Sequence, residues 1–279
     1  MLVRCWGSRG SIPVSGDSYL KYGGDTTCLE IRARSGDIIV VDAGTGIRRC
    51  GNHLESESHV AYHLIFTHAH WDHIMGFPFF KPLHSAENHI RLQGCPFDAS
   101  YVKRILSQVM GEPHFPVAYA DIRARISHEP LCPDKFDIGS VTVEPIPISH
   151  PNGGSGYRFT ENGKSFVFLT DNELGFRHPG GLRFSEYVAR VDGADLLIHD
   201  AEYTPREYRR FKQWGHSVYT DALRLASEAG CKMLGLFHLN QERTDVEMDR
   251  IVAECKKIMP PAGDPVDCFG VSGHWQMEL

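Results

Sequence analysis

Short runs of alternating or continuous apolar residues occupy the first quarter of the chain, separated by turn-forming positions such as Gly36. Period-two alternation and compact β-branched runs are typical of strands. The pattern predicts strands at 2–6, 28–34, 38–41 and 60–66. The chain therefore opens with a β-rich unit.

From residue 141 onward the pattern predicts strands that alternate with helices. The strands are at 141–148, 156–160, 165–169, 194–199 and 233–238, and the helices at 184–191, 218–229 and 245–259. Between the two units, residues 77–135 mix a strand (89–93), a helix (99–110) and a stretch rich in proline, histidine and aromatics. We interpret residues 77–135 as an insertion. With no linker composition anywhere, we expect one domain, 1–279, built from two half-units.

The composition is that of a soluble globular protein, with 279 residues, 42% of them hydrophobic and 23% charged. No apolar run approaches the roughly 20 residues that a membrane span needs, so we expect no membrane association. The first residues reach Gly7 without an apolar targeting segment. These features predict a cytoplasmic location.

Cysteine spacing and net charge exclude several classes of protein. The eight cysteines form no C-x-x-C pair, which argues against a cysteine zinc site and a disulfide framework, and we expect free thiols. The net charge is −6, and no contiguous Lys/Arg block is present, so long nucleic acid is disfavoured as a partner. The unusual feature is the count of 16 histidines.

Several histidines concentrate in one segment, where an apolar strand runs into the motif H-x-H-x-D-H. Alternate residues of an extended loop project to the same side, so their side chains can converge. Imidazole and carboxylate ligands suit zinc and similar divalent ions. The motif therefore predicts a metal-binding loop with four potential ligands: His68, His70, Asp72 and His73.

Further potential ligands follow later strands. His150, Asp171 and His238 each stand where a predicted strand ends, which is the usual edge for functional groups in α/β sheets. Taken singly, each residue would be an ordinary polar strand terminus. Together with the metal-binding loop, they are predicted to be ligands.

These residues, with Asp42 in the run 40–46, resemble the five-motif signature of the metallo-β-lactamase superfamily. The chain is most similar to its phosphodiesterase branch, which includes RNase Z and cyclic-nucleotide phosphodiesterases. The closer resemblance is carried by the runs 6–11, 22–24, 67–76, 199–204 and 214–217. It implies an α+β fold, the four-layer αββα metallo-β-lactamase sandwich.

The resemblance also implies a ligand set for two divalent metal ions. One ion is held by His68, His70 and His150, the other by Asp72, His73 and His238, and Asp171 bridges both. Asp42 lies behind the ligands and orients their loop, a role compatible with its being a turn former before Gly44. Zinc is the expected metal, although the same ligands accept Mn, Fe, Co or Ni.

The resemblance further implies that a metal-bridging hydroxide attacks the phosphodiester, with the metal ligand Asp72 counted among the catalytic residues. The leaving group then needs a proton. His216 is the predicted general acid, with Asp200 orienting it. The alternative is that His216 is simply the residue before a helix capped by Ser217.

Three residues and one segment are candidates for substrate contact. Arg9 could neutralise substrate phosphate or pair with Asp17, and Asn152 and Gly153 lie in a glycine-rich loop beside His150. The aromatics of residues 77–135 are explained either by core packing or by a lid or homodimer contact beside the metals, with a ring on which a base could stack.

The sequence therefore predicts a metal-dependent phosphodiesterase acting on a small phosphodiester or nucleotide, with a cyclic nucleotide as the favoured substrate. The acidic net charge and the absence of a long basic arm favour a small substrate. Two alternatives stay open. One is RNase Z-like processing of RNA 3′ ends, and the other is a non-catalytic sensor that binds a metal or a nucleotide.

Overall fold

The computed structural model describes residues 1–57, 61–95, 99–128, 132–258 and 266–279. The strands are β1 (Leu2–Gly7), β2 (Cys28–Arg32), β3 (Ile38–Val41), β4 (Ala61–Phe66), β5 (His89–Gly94), β6 (Arg125–His128), β7 (Phe136–Ile138), β8 (Val141–Pro147), β9 (Ser155–Glu161), β10 (Lys164–Leu169), β11 (Leu196–Asp200), β12 (Met233–Phe237), β13 (Asp267–Gly270) and β14 (Gln276–Glu278). The helices are α1 (Ile47–Glu55), α2 (Trp71–Ile74), α3 (Ala99–Val109), α4 (Phe184–Val191), α5 (Pro205–Phe211), α6 (Tyr219–Glu228) and α7 (Asp245–Lys257).

The strands form two seven-stranded sheets of mixed direction. The first has the order β14-β1-β2-β3-β4-β5-β6, and the second β13-β12-β11-β10-β9-β8-β7. The strands from β3 to β6 are parallel, as are those from β10 to β13, and the remaining pairings are antiparallel. In each parallel set the carboxyl ends of the strands meet at one edge of the sheet.

Period-two alternation sorts the apolar side chains between two layers. In β10, Phe166 and Phe168 point into the core between the sheets, whereas Val167 and Leu169 pack under the helices. In β3, Ile39 faces the other sheet. A third cluster lies beneath α1 and α3 on the outer face of the first sheet. The result is the αββα sandwich, as the sequence predicted.

Residues 77–135 take part in the first sheet. β5 pairs in parallel with β4, and β6 pairs with β5, so both strands extend that sheet at one edge. α3 packs against the same sheet through Val102 and Leu106. The division of the chain into one domain with an insertion stays a prediction.

The sequence patterns missed the short edge strands β6, β7, β13 and β14 and the helices α1, α2 and α5. Edge strands of three or four residues are too short for alternation to be visible. Two ends of predicted elements, Val60 and Met259, lie outside the described residues. Within the described chain, no helix has both the length and the apolar character needed to cross a bilayer.

The expectation that all cysteines are free thiols is wrong for one pair. Cys95, just after β5, forms a disulfide with Cys132 across a sequence separation of 37 residues. Spacing could not predict this bond, because Cys95 follows β5 and Cys132 comes after β6, and these strands become neighbours only when they pair in the first sheet. The other six cysteines are buried free thiols.

Candidate metal centre

The predicted ligands converge at the edge where the parallel strands of both sheets end. β4 ends at Phe66 and is followed directly by the metal-binding loop, residues 67–73, whose last residues begin α2. From the second sheet, Asp171 follows β10 and His238 follows β12. Local sequence thus places each residue at a strand end, and packing of the two sheets brings them together.

The first group of side chains that could hold an ion consists of His68, His70, His150 and Asp171, whose ligand atoms all lie within 4.8 Å of one another. His70 Nδ1 is 2.9 Å from His150 Nε2. The Nε2 atoms of His68 and His150 are 3.5 and 3.7 Å from Asp171 Oδ2. This arrangement of three imidazoles and one carboxylate is a donor set that divalent transition metals prefer.

A second group shares the carboxylate of Asp171 with the first. It contains Asp72, His73 and His238, again with all ligand atoms within 4.8 Å. His73 Nε2 lies 3.1 Å from Asp171 Oδ1, and His238 Nε2 lies 3.1 Å from Asp72 Oδ2. Asp171 therefore belongs to both groups of potential ligands.

Three ligand histidines have their Nδ1 atoms fixed by groups that can only accept a hydrogen bond. His73 Nδ1 donates to Asp42 (2.8 Å), His150 Nδ1 to the Gly215 carbonyl (2.9 Å) and His238 Nδ1 to Glu202 (2.9 Å). These bonds place a proton on Nδ1 of each ring and turn Nε2 toward the centre, where His73 and His238 meet the carboxylates of Asp171 and Asp72.

Several atoms of the centre lack partners in a way that fits metal binding. His68 Nε2 and His73 Nε2 are buried and have no hydrogen-bond partner, although buried polar nitrogens are nearly always paired. Burial lowers the pKa of His150 to about 3 and that of His68 well below its usual range. His68 and His150 are therefore neutral imidazoles, the form that ligates a metal. Burial by itself lowers the pKa of His73 and His238, but Asp171 and the other carboxylates of the centre raise both well above the usual range. A cation bound between these groups would take the place of those protons, so the described residues fit such an ion.

Three residues of the site have backbone conformations that are uncommon for residues other than glycine. Asp42, Asp171 and His238 have φ values of 62°, 50° and 54°. This left-handed region costs free energy for a residue with a Cβ atom, and such residues cluster at functional sites. The strained backbone turns each side chain sharply from its strand end toward the centre.

Asp42 lies where the sequence predicted an orienting residue. Its carboxylate is fully buried, accepts hydrogen bonds from the backbone N–H and the hydroxyl of Thr67, each at 2.7 Å, and also binds His73. One residue thus holds both the start of the metal-binding loop and one of its histidines.

Glu202 was missed in the sequence interpretation. Its carboxylate accepts from His238 Nδ1 and, at 2.9 Å, from the Asn240 side chain, and it is almost fully buried. The available signal was its position two residues after Asp200 at the end of β11, which is the same alternation that marks the metal-binding loop.

Asp200 and His216 meet as predicted. His216 Nδ1 lies 2.8 Å from Asp200 Oδ2 and 3.5 Å from Glu202 Oε2, and its ring stacks on His238 with centroids 4.6 Å apart. Burial by itself lowers the pKa of His216, but the carboxylates of Glu202 and Asp200 raise it to about 9. The imidazole is therefore protonated at neutral pH, the form that a general acid requires.

The alternative in which Ser217 caps the following helix is wrong. α6 begins at Tyr219 with Val218 in the capping position, and no side chain caps it. The Ser217 hydroxyl instead donates to the Asn172 carbonyl at 2.5 Å and accepts from the Leu174 N–H at 3.0 Å. These bonds fix the segment that carries His216.

A second buried carboxylate, Glu173, was also missed. It accepts hydrogen bonds from four donors: His178 Nε2 (2.8 Å), Tyr208 Oη (2.6 Å), Gln213 N (2.7 Å) and Gly215 N (2.8 Å). A Cβ atom at Gly215 would lie 2.1 Å from His150 Nδ1, so only glycine fits there. Glu173 therefore anchors the loop 213–216, which supports His150 and carries His216.

The structure does not bring Arg9 to the metal centre. Its guanidinium is fully buried and donates to the carbonyl oxygens of Gly23, Asn240 and Arg243. This corrects both predictions for Arg9, contact with substrate phosphate and pairing with Asp17. Arg9 ties the first turn to the segment after His238.

The two predicted substrate residues beside His150 differ in whether their polar groups are available to bind a substrate. The N–H of Gly153 donates to the His150 carbonyl at 3.0 Å, so this amide is not free to bind a substrate. Asn152 is exposed at the tip of the same turn, with φ of 69°. Substrate contact by Asn152 stays a prediction.

Part of residues 77–135 lies beside the metal-binding loop. A cleft of about 860 Å³ runs between that loop and α3. It is lined by Ala69, Trp71, Ile74, Met75, Ile105, Ser107, Gln108, Val109, Glu112 and His114. Trp71 is 75% exposed, whereas Phe77 and Phe80 of the predicted aromatic stretch are buried in the core.

A family model for the beta-lactamase superfamily domain matches residues 38–239, which is most of the chain and includes every predicted metal ligand. The chain belongs to the beta-lactamase superfamily. The metal ligands that carried the superfamily resemblance lie within this match, whereas the runs 6–11 and 22–24 lie before it. The superfamily assignment is confirmed.

One curated relative is similar to this chain over nearly its whole length. A Ribonuclease Z from Synechococcus sp. (strain CC9311) is 25% identical, and the alignment covers 93% of this chain and 95% of the relative. Two solved structures share the fold at 17% identity. The metallo-beta-lactamase fold protein YhfI from Bacillus subtilis has a TM-score of 0.71 and covers 99% of this chain and 98% of its own. Human tRNase Z, short form, has a TM-score of 0.63 and covers 100% and 99%.

These similarities agree with the phosphodiesterase branch that the sequence resembled. Within the superfamily, the chain is a metal-dependent hydrolase, and its histidine and aspartate cluster fits a metal site.

Proposed function

We propose that the chain is a phosphodiesterase whose centre holds two divalent ions, zinc by preference, and acts on a phosphodiester of a nucleotide. The observation that carries the proposal is the sharing of Asp171 between two ligand groups, with His216 adjoining them at 3.9 Å from Asp171. His68, His70 and His150 would hold one ion, and Asp72, His73 and His238 the other. Ions bound there would supply Lewis-acid activation and charge neutralisation at the phosphoryl oxygens.

The chain's own residues account for the proton that the leaving group needs. His216 is nearly buried, carries its proton at neutral pH and is held through Nδ1 by Asp200, so Nε2–H is its remaining donor. A buried imidazolium beside a hydrolytic centre fits general acid catalysis of alkoxide departure. No protein nucleophile is required by this arrangement.

A cyclic nucleotide is the substrate favoured by the acidic net charge of −6. The second candidate is the 3′ end of an RNA, and the near full-length similarity to Ribonuclease Z supports it. Cytoplasmic location and homodimer formation stay predictions.

Product analysis tests the proposal. Metal-replete protein is incubated with 3′,5′-cyclic AMP and, separately, with an RNA that carries a 3′ extension, with Asp171→Ala as control. Conversion of either substrate by the wild type alone supports a phosphodiesterase, and the product identifies the bond that is cut. Tight nucleotide binding with no turnover of either substrate would instead favour the sensor.

A further inference from the structure

One exposed surface beside the metal centre carries a concentration of positive charge. α5 and the residue after it contain Arg206, Arg209, Arg210 and Lys212, all exposed. Spacings of three and four residues place the three arginines on one face of the helix. These four residues, together with Trp214, are called the α5 surface below.

The cations of the α5 surface are free to bind an anion. Within the described parts of the chain, no carboxylate forms an ion pair with any of them. The one acidic residue of the helix, Glu207, is instead engaged by Arg243 and caps the helix N-terminus through Thr204. The α5 surface is therefore locally positive, although the net charge of the whole chain is −6.

The inner face of α5 anchors this surface to the site. Tyr208 donates to Glu173 at 2.6 Å, and Phe211 stacks on Tyr203 with ring centroids 5.2 Å apart. Trp214 follows with its ring edge-on to Phe211 at 5.2 Å, and it is 62% exposed. Because Trp214 precedes His216 by two residues, an exposed aromatic face stands between the cations and the predicted general acid.

The opening around the metal centre is called the mouth below. Its side opposite the α5 surface carries a different charge. Among the described residues that line the cleft between the metal-binding loop and α3, none is lysine or arginine, and Glu112 is the only acidic one. A chain of phosphates leaving the metal centre is therefore attracted toward the α5 surface and not toward this cleft.

We infer that the α5 surface binds a single-stranded nucleotide chain, holding phosphates that flank the scissile phosphodiester while a base stacks on Trp214. Basic groups combined with an exposed aromatic ring are how proteins hold single strands without reading their sequence. The helical face is about 6 Å long, at 1.5 Å per residue, which suits two or three phosphates of a short strand. The inference rests on the proposed function and, of its two substrates, selects the one with several phosphates.

Charge reversal with a matched control tests this inference. Arg209→Glu/Arg210→Glu removes two cations from the last turn of α5, and Lys256→Glu/Lys257→Glu does the same in the last turn of α7. Both double variants change the net charge and the helix-dipole interaction equally. The probe is a fluorescein-labelled eight-nucleotide RNA with phosphorothioate linkages, and its binding to metal-replete protein is followed by anisotropy at 50 and 200 mM salt.

We expect the α5 variant to bind the RNA at least about 10-fold more weakly at 50 mM salt, with a log–log salt slope lower by about 1.4, the value for two lost phosphate contacts. The α7 variant should bind like the wild type. Trp214→Ala should lose about 5-fold or more in affinity with an unchanged salt slope, because stacking carries no charge. Hydrolysis of bis(4-nitrophenyl) phosphate should be unchanged in the α5 and α7 charge-reversal variants.

Equal binding by the α5 and α7 variants would overturn the inference, as would the absence of RNA binding by the wild type. Binding of the α5 surface to phosphatidylserine vesicles without RNA binding would overturn it in favour of a membrane. Because binding is measured without turnover, the two claims can fail separately. Selective RNA binding without any diester hydrolysis would contradict the proposed function alone.

Discussion

The metal centre and the mouth around it differ in how firmly the fold holds their side chains. Every predicted ligand except His70 is buried, and the histidines 73, 150 and 238 are each fixed by an acceptor from a distant part of the chain. The mouth presents Trp71 and Trp214, both largely exposed, and the α5 cations, which have no carboxylate partner among the described residues. The side chains of the centre are held in fixed positions for the reaction, whereas those of the mouth are available to contact the substrate.

The metal centre and the mouth also differ in charge. The centre gathers carboxylates that attract cations, and the orphaned Nε2 atoms of His68 and His73 mark where ligation is unsatisfied. The mouth is divided into a cationic side on α5 and a cleft beside α3 whose described lining residues include the acidic Glu112 and no lysine or arginine. Substitutions in the centre should therefore affect all substrates, and those in the mouth should affect substrates selectively.

The largest effect is expected from Asp171→Ala. Removing the carboxylate shared by both ligand groups should abolish metal binding and hydrolysis of every diester together. Elemental analysis after gel filtration measures the metal, and bis(4-nitrophenyl) phosphate reports activity. Asp195→Ala is the control, because Asp195 is also a buried carboxylate but pairs with Lys164 and Lys232 away from the centre. Retention of both metals by Asp171→Ala would remove it from the bridging position.

His216→Ala should lose about 10²–10⁴-fold in rate on substrates with poor leaving groups, as expected when a general acid is removed. Metal content should be unchanged. Nitrophenyl esters need little protonation of the leaving group, so their hydrolysis should fall much less. An equal loss on both classes of substrate would contradict the assignment of His216.

The pH dependence of kcat in Asp200→Asn tests the same assignment of His216. The Glu202 and Asp200 carboxylates raise the pKa of His216 to about 9, so loss of one carboxylate should lower that pKa. Activity on poor leaving groups is lost as the pH rises through the pKa of the acid. The alkaline limb of the kcat profile should therefore move to lower pH, and an unmoved limb would count against the pairing.

Glu202→Gln should weaken metal binding by about 10–100-fold, the usual cost of losing a partner behind a ligand. The amide can accept only through its oxygen and no longer stabilises His238 by charge. Competition with a chromogenic chelator measures the affinity. Glu186→Gln, at the exposed start of α4, is a control that should bind metal normally.

The smallest of these effects is expected from Glu173→Gln. The amide of Gln cannot accept from all four donors that Glu173 binds, so the loop 213–216 should loosen and metal affinity should fall by up to about 10-fold. Tyr208→Phe removes a single donor and should have a smaller effect. A normal affinity and rate in Glu173→Gln would mean that the loop does not depend on this carboxylate.

The metal-binding loop and the strand-end ligands could be predicted from sequence because each depends on a local pattern, an apolar strand followed by a polar residue. The partners behind the ligands could not, since Glu202 meets His238 and Glu173 meets Gly215 only through tertiary packing. The four cations of the α5 surface are interrupted in sequence by Glu207, Tyr208 and Phe211, so a search for an unbroken basic block overlooked a patch that the helix assembles. Arg9 resembles a surface cation in sequence, and the fold buries it.

The central claim is that two ions in this centre hydrolyse phosphodiesters. Its most direct test is a titration of metal-free protein with zinc, in which the rate on bis(4-nitrophenyl) phosphate is read after each addition. The shared carboxylate predicts that the rate rises until two equivalents are bound and that Asp171→Ala stays inactive throughout. A rate that is complete at one equivalent, or that never rises above the control, would contradict the account.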